Sequence, residues 1–381
     1  MLRSSRSLLQ NSKTEIKIPV PWGHISGIHW PKLSCEEANT NAKFSRIDKS
    51  LPVLTFHGWL DNAGSFDKII PEIQKSHPDL EFYCFDWPGH GLSSHRPAGT
   101  YIQNTAYLYD ISRILKHLNL AEINTMGHSM GGQAITQFSC VFPGVIKSSI
   151  IFDSLGFIPA RSTGLAESLK SAITSSLIID DKIDKSDSKQ TKLKYEELKA
   201  RFLKGSRGLP HTVSPEMADV MLKRAVIQDI ENPELYSWTR DLKVIAPSMP
   251  TYTFDGMIQF LKSLNENKEN YPDVIRLMSN DNAWWALNLK NTPDNEKKEL
   301  VDRTRFQFDA YNENPKLSWH VMDGNHHFHL NNYKETAKFV NDWIDGIEIG
   351  NEMNVDMYLD TIVKNTKFGD SKKVDSSQLP L

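Results

Sequence analysis

The sequence predicts an α/β fold, a mostly parallel sheet flanked by helices with a helical segment inserted late in the chain. Two observations carry this. Short apolar runs rich in β-branched and aromatic residues, PVLTFHG, EFYCFDW, INTMGH and KSSIIFD, recur with segments of helical length between them, the rhythm of strands and helices alternating around a parallel sheet. After Asp153 that rhythm stops until PDVIRLMS and LSWHVMDG resume it, so the intervening stretch interrupts the core.

The elements follow in order. EIKIPVPWGHISGIHW alternates and turns at Pro21 to Gly23, which reads as two antiparallel strands. Lys32 to Ser50 is polar and reads as a surface loop. The four apolar runs suit strands covered on both faces, and their C-terminal ends form the edge where such sheets bind ligands. The insertion has a mostly helical pattern. Its charged stretch DDKIDKSDSKQTKLKYEELKA interleaves acids and bases, as a solvated loop running into a helix does. A helix from about Asn332 to Ile347 closes the core. The expected organisation is a flexible stretch 1–14, a core of 15–153 and 271–350, a helical cap of 154–270, and a partly ordered tail of 351–381.

Composition bounds the function. The 381 residues allow one large domain with an insertion, or two compact ones. Lys plus Arg is 44 against 47 for Asp plus Glu, and the net charge of -3 supplies no electrostatic pull toward nucleic acid. Hydrophobic residues at 39%, with 9 Trp, exclude a wholly disordered chain and provide a sizeable core. Cys35, Cys84 and Cys140 are scattered, giving neither a disulfide framework nor a CxxC zinc pattern. No apolar run reaches the ~20 residues of a transmembrane helix, and the N-terminus lacks the apolar stretch of a secretory signal. An intracellular, cytoplasmic protein is expected. Arg3, Arg6 and Lys13, with no acid before Glu15, make a mitochondrial transit segment the alternative.

The most informative stretch is INTMGHSMGGQAITQFSCVF, an apolar strand running through Gly127-His128-Ser129-Met130-Gly131 into a helix. A serine at a tight strand-to-helix turn takes a strained conformation, and the flanking glycines let the turn close. Its hydroxyl is lifted above the sheet edge, and the helix N-terminus favours negative charge developing there. Ser129 is the expected nucleophile.

A serine hydroxyl needs a base. Of 13 histidines, His326 in VMDGNHHFHLNN has the best claim, because its loop follows the last strand and returns to the same sheet edge. Its neighbours His327 and His329 raise a metal tract as the rival reading, but neither HExxH nor a cysteine pair accompanies them, so no metal is expected. His128 should point away from the nucleophile, and His57 and His90 suit packing or hydrogen-bonding roles.

The third member is an acid that orients the imidazole. Asp153 ends the strand after the nucleophile helix, and Asp281 lies in RLMSNDNAWW after the next strand. Counting GxxD from Ser279 lands on Asn282, an amide without charge, which favours Asp153. Backbone donors must also face the oxygen that gains charge. Trp59, after His57-Gly58, and Met130 are the expected pair.

With these residues in place the chain resembles the α/β-hydrolase superfamily, and within it the serine hydrolase-like (Kraken-type) proteins. The resemblance rests on VPWGHISG, LTFHGWLDNAGSFDKIIP, FDWPGHGLSSHRP, MGHSMGGQ, IIFDSLG and MDGNHHFHL, spanning residues 20 to about 160 and 317–340. It implies the α/β-hydrolase fold with an inserted helical cap, Ser129 as nucleophile, His326 as base and the residue after His57-Gly58 as oxyanion donor. A serine rather than an aspartate at position 129 sets the chain apart from the epoxide hydrolases and haloalkane dehalogenases of that fold.

The expected function is a cofactor-independent serine hydrolase acting on a small-molecule carboxylic ester or thioester through an acyl-enzyme. Trp284 and Trp285 are expected between cap and core or at the pocket mouth. The alternative is a catalytically weak or inactive hydrolase fold serving as a ligand-binding or interaction protein.

Overall fold

The computed structural model describes residues 13–33, 44–97, 99–158, 165–185, 191–205, 212–246, 252–281, 294–350 and 352–365. Strands β1 (Thr14–Val20) and β2 (Gly23–Trp30) form an antiparallel pair around the expected turn. Then come β3 (Val53–Phe56), α1 (Ile69–Ser76), β4 (Phe82–Phe85), α2 (Asn104–Leu118), β5 (Ile123–His128), α3 (Met130–Val141) and β6 (Ile146–Phe152). Before the sheet resumes, the chain passes through α4 (Leu165–Lys185), β7 (Leu193–Lys194), α5 (Tyr195–Lys204), α6 (Pro215–Ala225), β8 (Val226–Gln228), β9 (Leu235–Trp238) and α7 (Phe254–Glu266). It re-enters with β10 (Asp273–Ser279), α8 (Asp294–Asn312), β11 (Leu317–Met322), α9 (Phe328–Asn331) and α10 (Tyr333–Ile344), and α11 (Val355–Asn365) follows.

The eight-stranded sheet has the order β1-β2-β4-β3-β5-β6-β10-β11. The last six strands in this order pair in parallel; β2 meets both β1 and β4 antiparallel. The order reverses at β3, with β4 on one side and β5 on the other, which opens a crevice at the carboxyl ends of β3 and β5.

Pleating sends successive side chains to opposite faces, and the core divides accordingly. Val53, Cys84, Met126, Ile150 and Leu277 pack on one face with Ile69, Ile70 and Ile73 of α1 and Val340, Trp343 and Ile344 of α10. Leu54, Phe56, Phe85 and Ile151 pack on the other with Ile111 and Ile114 of α2 and Ile135 and Phe138 of α3. A third cluster joins Met257 and Leu261 of α7, Phe308 of α8, Trp319 of β11 and Tyr358 and Leu359 of α11.

Among its described residues the segment between β6 and β10 holds the helices α4 to α7 and also a three-stranded antiparallel sheet, β7-β9-β8. These strands have two to four residues, too few for a period to register in sequence. A buried ion pair ties the segment to the core: Arg224 of α6 donates to both oxygens of Asp86 just past β4, with Nη2 2.7 Å from Oδ2. Among the described residues no helix is long and apolar enough to cross a membrane.

Candidate active site

The carboxyl edge of the sheet gathers the expected residues. Ser129 stands between β5 and α3 with φ 49° and ψ -112°, a left-handed conformation that costs about 1–3 kcal/mol outside glycine. Its N–H donates to the Phe152 carbonyl at 3.0 Å, binding the turn to the end of β6. Gly131 lets α3 sit this close to the sheet. A Cβ there would lie 2.0 Å from the Phe56 carbonyl oxygen, and one on Gly127 would meet Ile135 at 2.5 Å.

Asp153 follows β6 directly and also has a positive φ, 46°. Its Oδ2 lies 2.6 Å from His326 Nδ1. Ser279, the last residue of β10, donates its N–H to Oδ1 at 2.9 Å and its hydroxyl to Oδ2 at 3.0 Å. Burial works against the Asp153 charge, but the His326 and Ser279 donors win and hold its carboxyl below the usual value. Asp281 is exposed, and its carboxylate makes no hydrogen bond among the described residues; its backbone N–H donates to the Gly324 carbonyl at 3.1 Å. Of the two acids the sequence leaves open, the one that meets the His326 ring is Asp153. Asn282, Trp284 and Trp285 lie outside the described residues.

Trp59 follows His57-Gly58 beyond β3, and its indole N–H donates to the Val244 carbonyl at 2.7 Å. Met130 is the first residue of α3, so its amide is among the four that a helix leaves without an internal acceptor. His57 is buried; its Nδ1 lies 2.7 Å from the Gly58 carbonyl, and its Nε2 accepts from the Trp87 N–H at 3.0 Å. Burial pushes its pKa down.

A network that the sequence analysis missed lies under this edge. Asp61, from GWLDNAG, has its Oδ2 3.1 Å from His128 Nδ1 and its Oδ1 3.1 Å from His327 Nε2. His128 Nε2 lies 2.9 Å from the His326 carbonyl oxygen, and His327 Nδ1 meets the Thr212 hydroxyl. Burial opposes the Asp61 charge, yet the two imidazoles hold its carboxyl well below the usual range. The His128 and His326 ring centroids are 4.7 Å apart. The one signal in sequence is an aspartate three residues after the glycine of HGW, and a lone loop acid carries no pattern.

His326, His327 and His329 do not converge on a common ligand. His326 turns to Asp153 and His327 to Asp61, while His329 stacks on Phe152 with neither ring nitrogen hydrogen-bonded among the described residues. Among the described residues, donor atoms of Asp61, His128 and His327 lie within 4.8 Å of one another, and there they hydrogen-bond among themselves.

Comparison with known proteins accords with this architecture. Residues 52–171 match the family model of the alpha/beta hydrolase fold. A "Serine hydrolase-like protein" of Danio rerio is 27% identical over 336 residues, 88% of this chain and 90% of the relative. A protein of the same name from Homo sapiens is 34% identical over 145 residues, 38% of this chain and 63% of the relative. A hypothetical protein of Pseudomonas aeruginosa PAO1 shares the fold at a TM-score of 0.62 and 22% identity, covering 87% of this chain and 98% of its own. With its parallel sheet, the strained serine turn at the β5 edge and these relatives, the chain has the α/β-hydrolase fold and is similar to serine hydrolase-like proteins.

Proposed function

We propose that the chain is a serine hydrolase that cleaves carboxylic ester or thioester bonds through an acyl-enzyme. The observation that carries this is the 2.6 Å contact between His326 Nδ1 and Asp153 Oδ2 at the edge where Ser129 occupies its strained turn. Asp153 as acid holds the ring with its proton on Nδ1, which leaves Nε2 to act as base. In the first step Ser129 Oγ bonds to the acyl carbon and its proton passes to His326 Nε2. The bond to the leaving oxygen or sulfur then breaks, and that atom takes the proton from His326. Water repeats the sequence on the acyl-enzyme and releases the carboxylic acid. The amides of Trp59 and Met130 receive the oxyanion, each worth about 3–4 kcal/mol in such a role. The segment of residues 154–270 serves as a cap over the acyl group.

The second reading, a hydrolase fold that binds without turnover, draws on one observation. Ser129 Oγ makes no hydrogen bond among the described residues, whereas the hydrolase reading requires Ser129 Oγ to reach His326 Nε2 in the substrate complex. A fluorophosphonate probe and a panel of short and long p-nitrophenyl esters separate the readings. Labelling and saturable turnover, both lost in Ser129→Ala, support the hydrolase. Ligand-dependent thermal stabilisation with neither labelling nor turnover supports the binding protein.

A further inference from the structure

The buried histidines near Asp61 do not all face the same kinds of partner. His57 needs one proton: Nδ1–H donates to the Gly58 carbonyl while Nε2 accepts from Trp87. His327 needs one, on the Nε2 that faces Asp61, because the Thr212 hydroxyl on its other side is able to donate. Among the described residues His329 has no hydrogen-bond partner on either nitrogen, and it requires no charge. His128 differs. Its Nε2 faces the His326 carbonyl oxygen at 2.9 Å and its Nδ1 faces Asp61 Oδ2 at 3.1 Å. A carbonyl and an ionised carboxylate only accept, so a neutral ring serves one of these partners and leaves the other facing a bare lone pair.

We infer that Asp61 and His128 hold one additional proton between them as a buried carboxylate–imidazolium pair, and that this pair positions His326 by pinning its backbone carbonyl. His128 immediately precedes Ser129 in the chain. Its Nε2–H thereby ties the turn carrying the proposed base to the strand carrying the proposed nucleophile, while Asp153 holds the His326 ring from the far side. Charge on the donor makes that tie roughly twice as strong as a neutral hydrogen bond. The titratable groups around the His128 ring are Asp61, from the loop after β3, and His326, His327 and His329, whose rings lie 4.7, 4.8 and 4.2 Å away. Asp61 is the one carboxylate in hydrogen-bond contact with the ring among the described residues. Burial pushes the His128 pKa down, against the Asp61 carboxylate and the His326 carbonyl that favour its charge; the proton count therefore stands on the two acceptor contacts alone, and the positioning role rests on the hydrolase reading above.

The test uses the full chain labelled with ¹⁵N-histidine, with His128 assigned by the resonances missing from His128→Gln. At pH 7 both His128 nitrogens are expected to be protonated. In Asp61→Asn the amide donates to Nδ1 and accepts from His327, so His128 should carry a single proton with the fold retained by circular dichroism. On a p-nitrophenyl ester kcat is expected to fall ~10–100-fold with KM within about twofold. A singly protonated His128 in the wild type overturns the ion pair, as does a stoichiometric metal ion bound at Nδ1. An active wild type with unchanged kcat in Asp61→Asn overturns the positioning role alone. A wild type that neither turns over nor labels overturns the hydrolase reading and the positioning role together, while the ¹⁵N spectrum still decides the proton.

Discussion

Replacing Asp153 by Asn removes one charge and no heavy atom, and under the proposed mechanism that small change is expected to cause a large loss of activity. Three donors converge on the carboxylate: the Ser279 N–H on Oδ1, and the Ser279 hydroxyl and His326 Nδ1 on Oδ2. An amide has one oxygen to offer. If that oxygen faces His326, the amide NH₂ opposes the Ser279 N–H. If the amide is reversed, it donates to Nδ1 and drives the ring proton onto Nε2, where the nitrogen no longer accepts from serine. Either arrangement also forfeits the negative charge that stabilises the imidazolium. A loss of this kind is worth ~10⁴-fold in kcat in serine hydrolases, about 5 kcal/mol at 1.36 kcal/mol per decade. Asp281 is exposed, and Asp281→Asn should stay within about twofold of wild type. Steady-state hydrolysis of p-nitrophenyl acetate and butyrate by both variants, each checked for fold by circular dichroism, decides the matter. A nearly silent Asp153→Asn beside an inactive Asp281→Asn would refute the assignment.

Three further predictions concern stability. Gly131→Ala places a Cβ 2.0 Å from the Phe56 carbonyl oxygen; backbone has to move, at a cost of at least ~1–3 kcal/mol, read as a lower urea midpoint, and an unchanged midpoint refutes the packing argument. Arg224→Ala leaves Asp86 buried without its cation and should cost about 3–5 kcal/mol. Glu15→Ala, which removes a partner with 56% side-chain exposure, should be close to neutral in the same titration, and equal effects would contradict the role given to burial. Asp153 and Asp61 are both held below the ordinary carboxyl value despite burial, by hydrogen bonds and charge from their histidines. The stability each contributes is therefore complete above the unfolded-state pKa of about 3.9 and is lost as pH falls through the lowered native values. Urea unfolding at pH 6, 4 and 3 should show the gap between wild type and Asp153→Asn narrowing toward acid. A gap that stays constant removes the linkage.

How much was legible in advance varies with the range of the interaction. The six parallel strands announce themselves in runs such as PVLTF and SSIIF because both faces are buried, so apolarity is continuous. The Ser129 turn is equally plain, since a left-handed serine between a strand and a helix demands small neighbours, and Gly127 and Gly131 stand where a Cβ would collide. His326 could be named from its place after the last strand. The small β7-β9-β8 sheet could not, because its strands are shorter than any detectable period. Asp61 does not stand out within LTFHGWLDNAGSFDKIIP: its partners His128 and His327 are 67 and 266 positions away, and no local pattern encodes such a meeting.

By itself the sequence determined what short-range sterics and hydrophobic alternation control: the strand and helix rhythm, the break after Asp153, and the bend that presents Ser129. The tertiary structure decided which acid meets the imidazole, because that depends on how the end of β6 aligns with Ser279 of β10 and with the turn beyond β11. It also decided that a buried carboxylate from the β3 loop meets two histidines beneath the site. Such contacts join residues that share no turn of helix and no strand, and their energy comes from taking charged and polar groups out of water together, so only the packed chain specifies them.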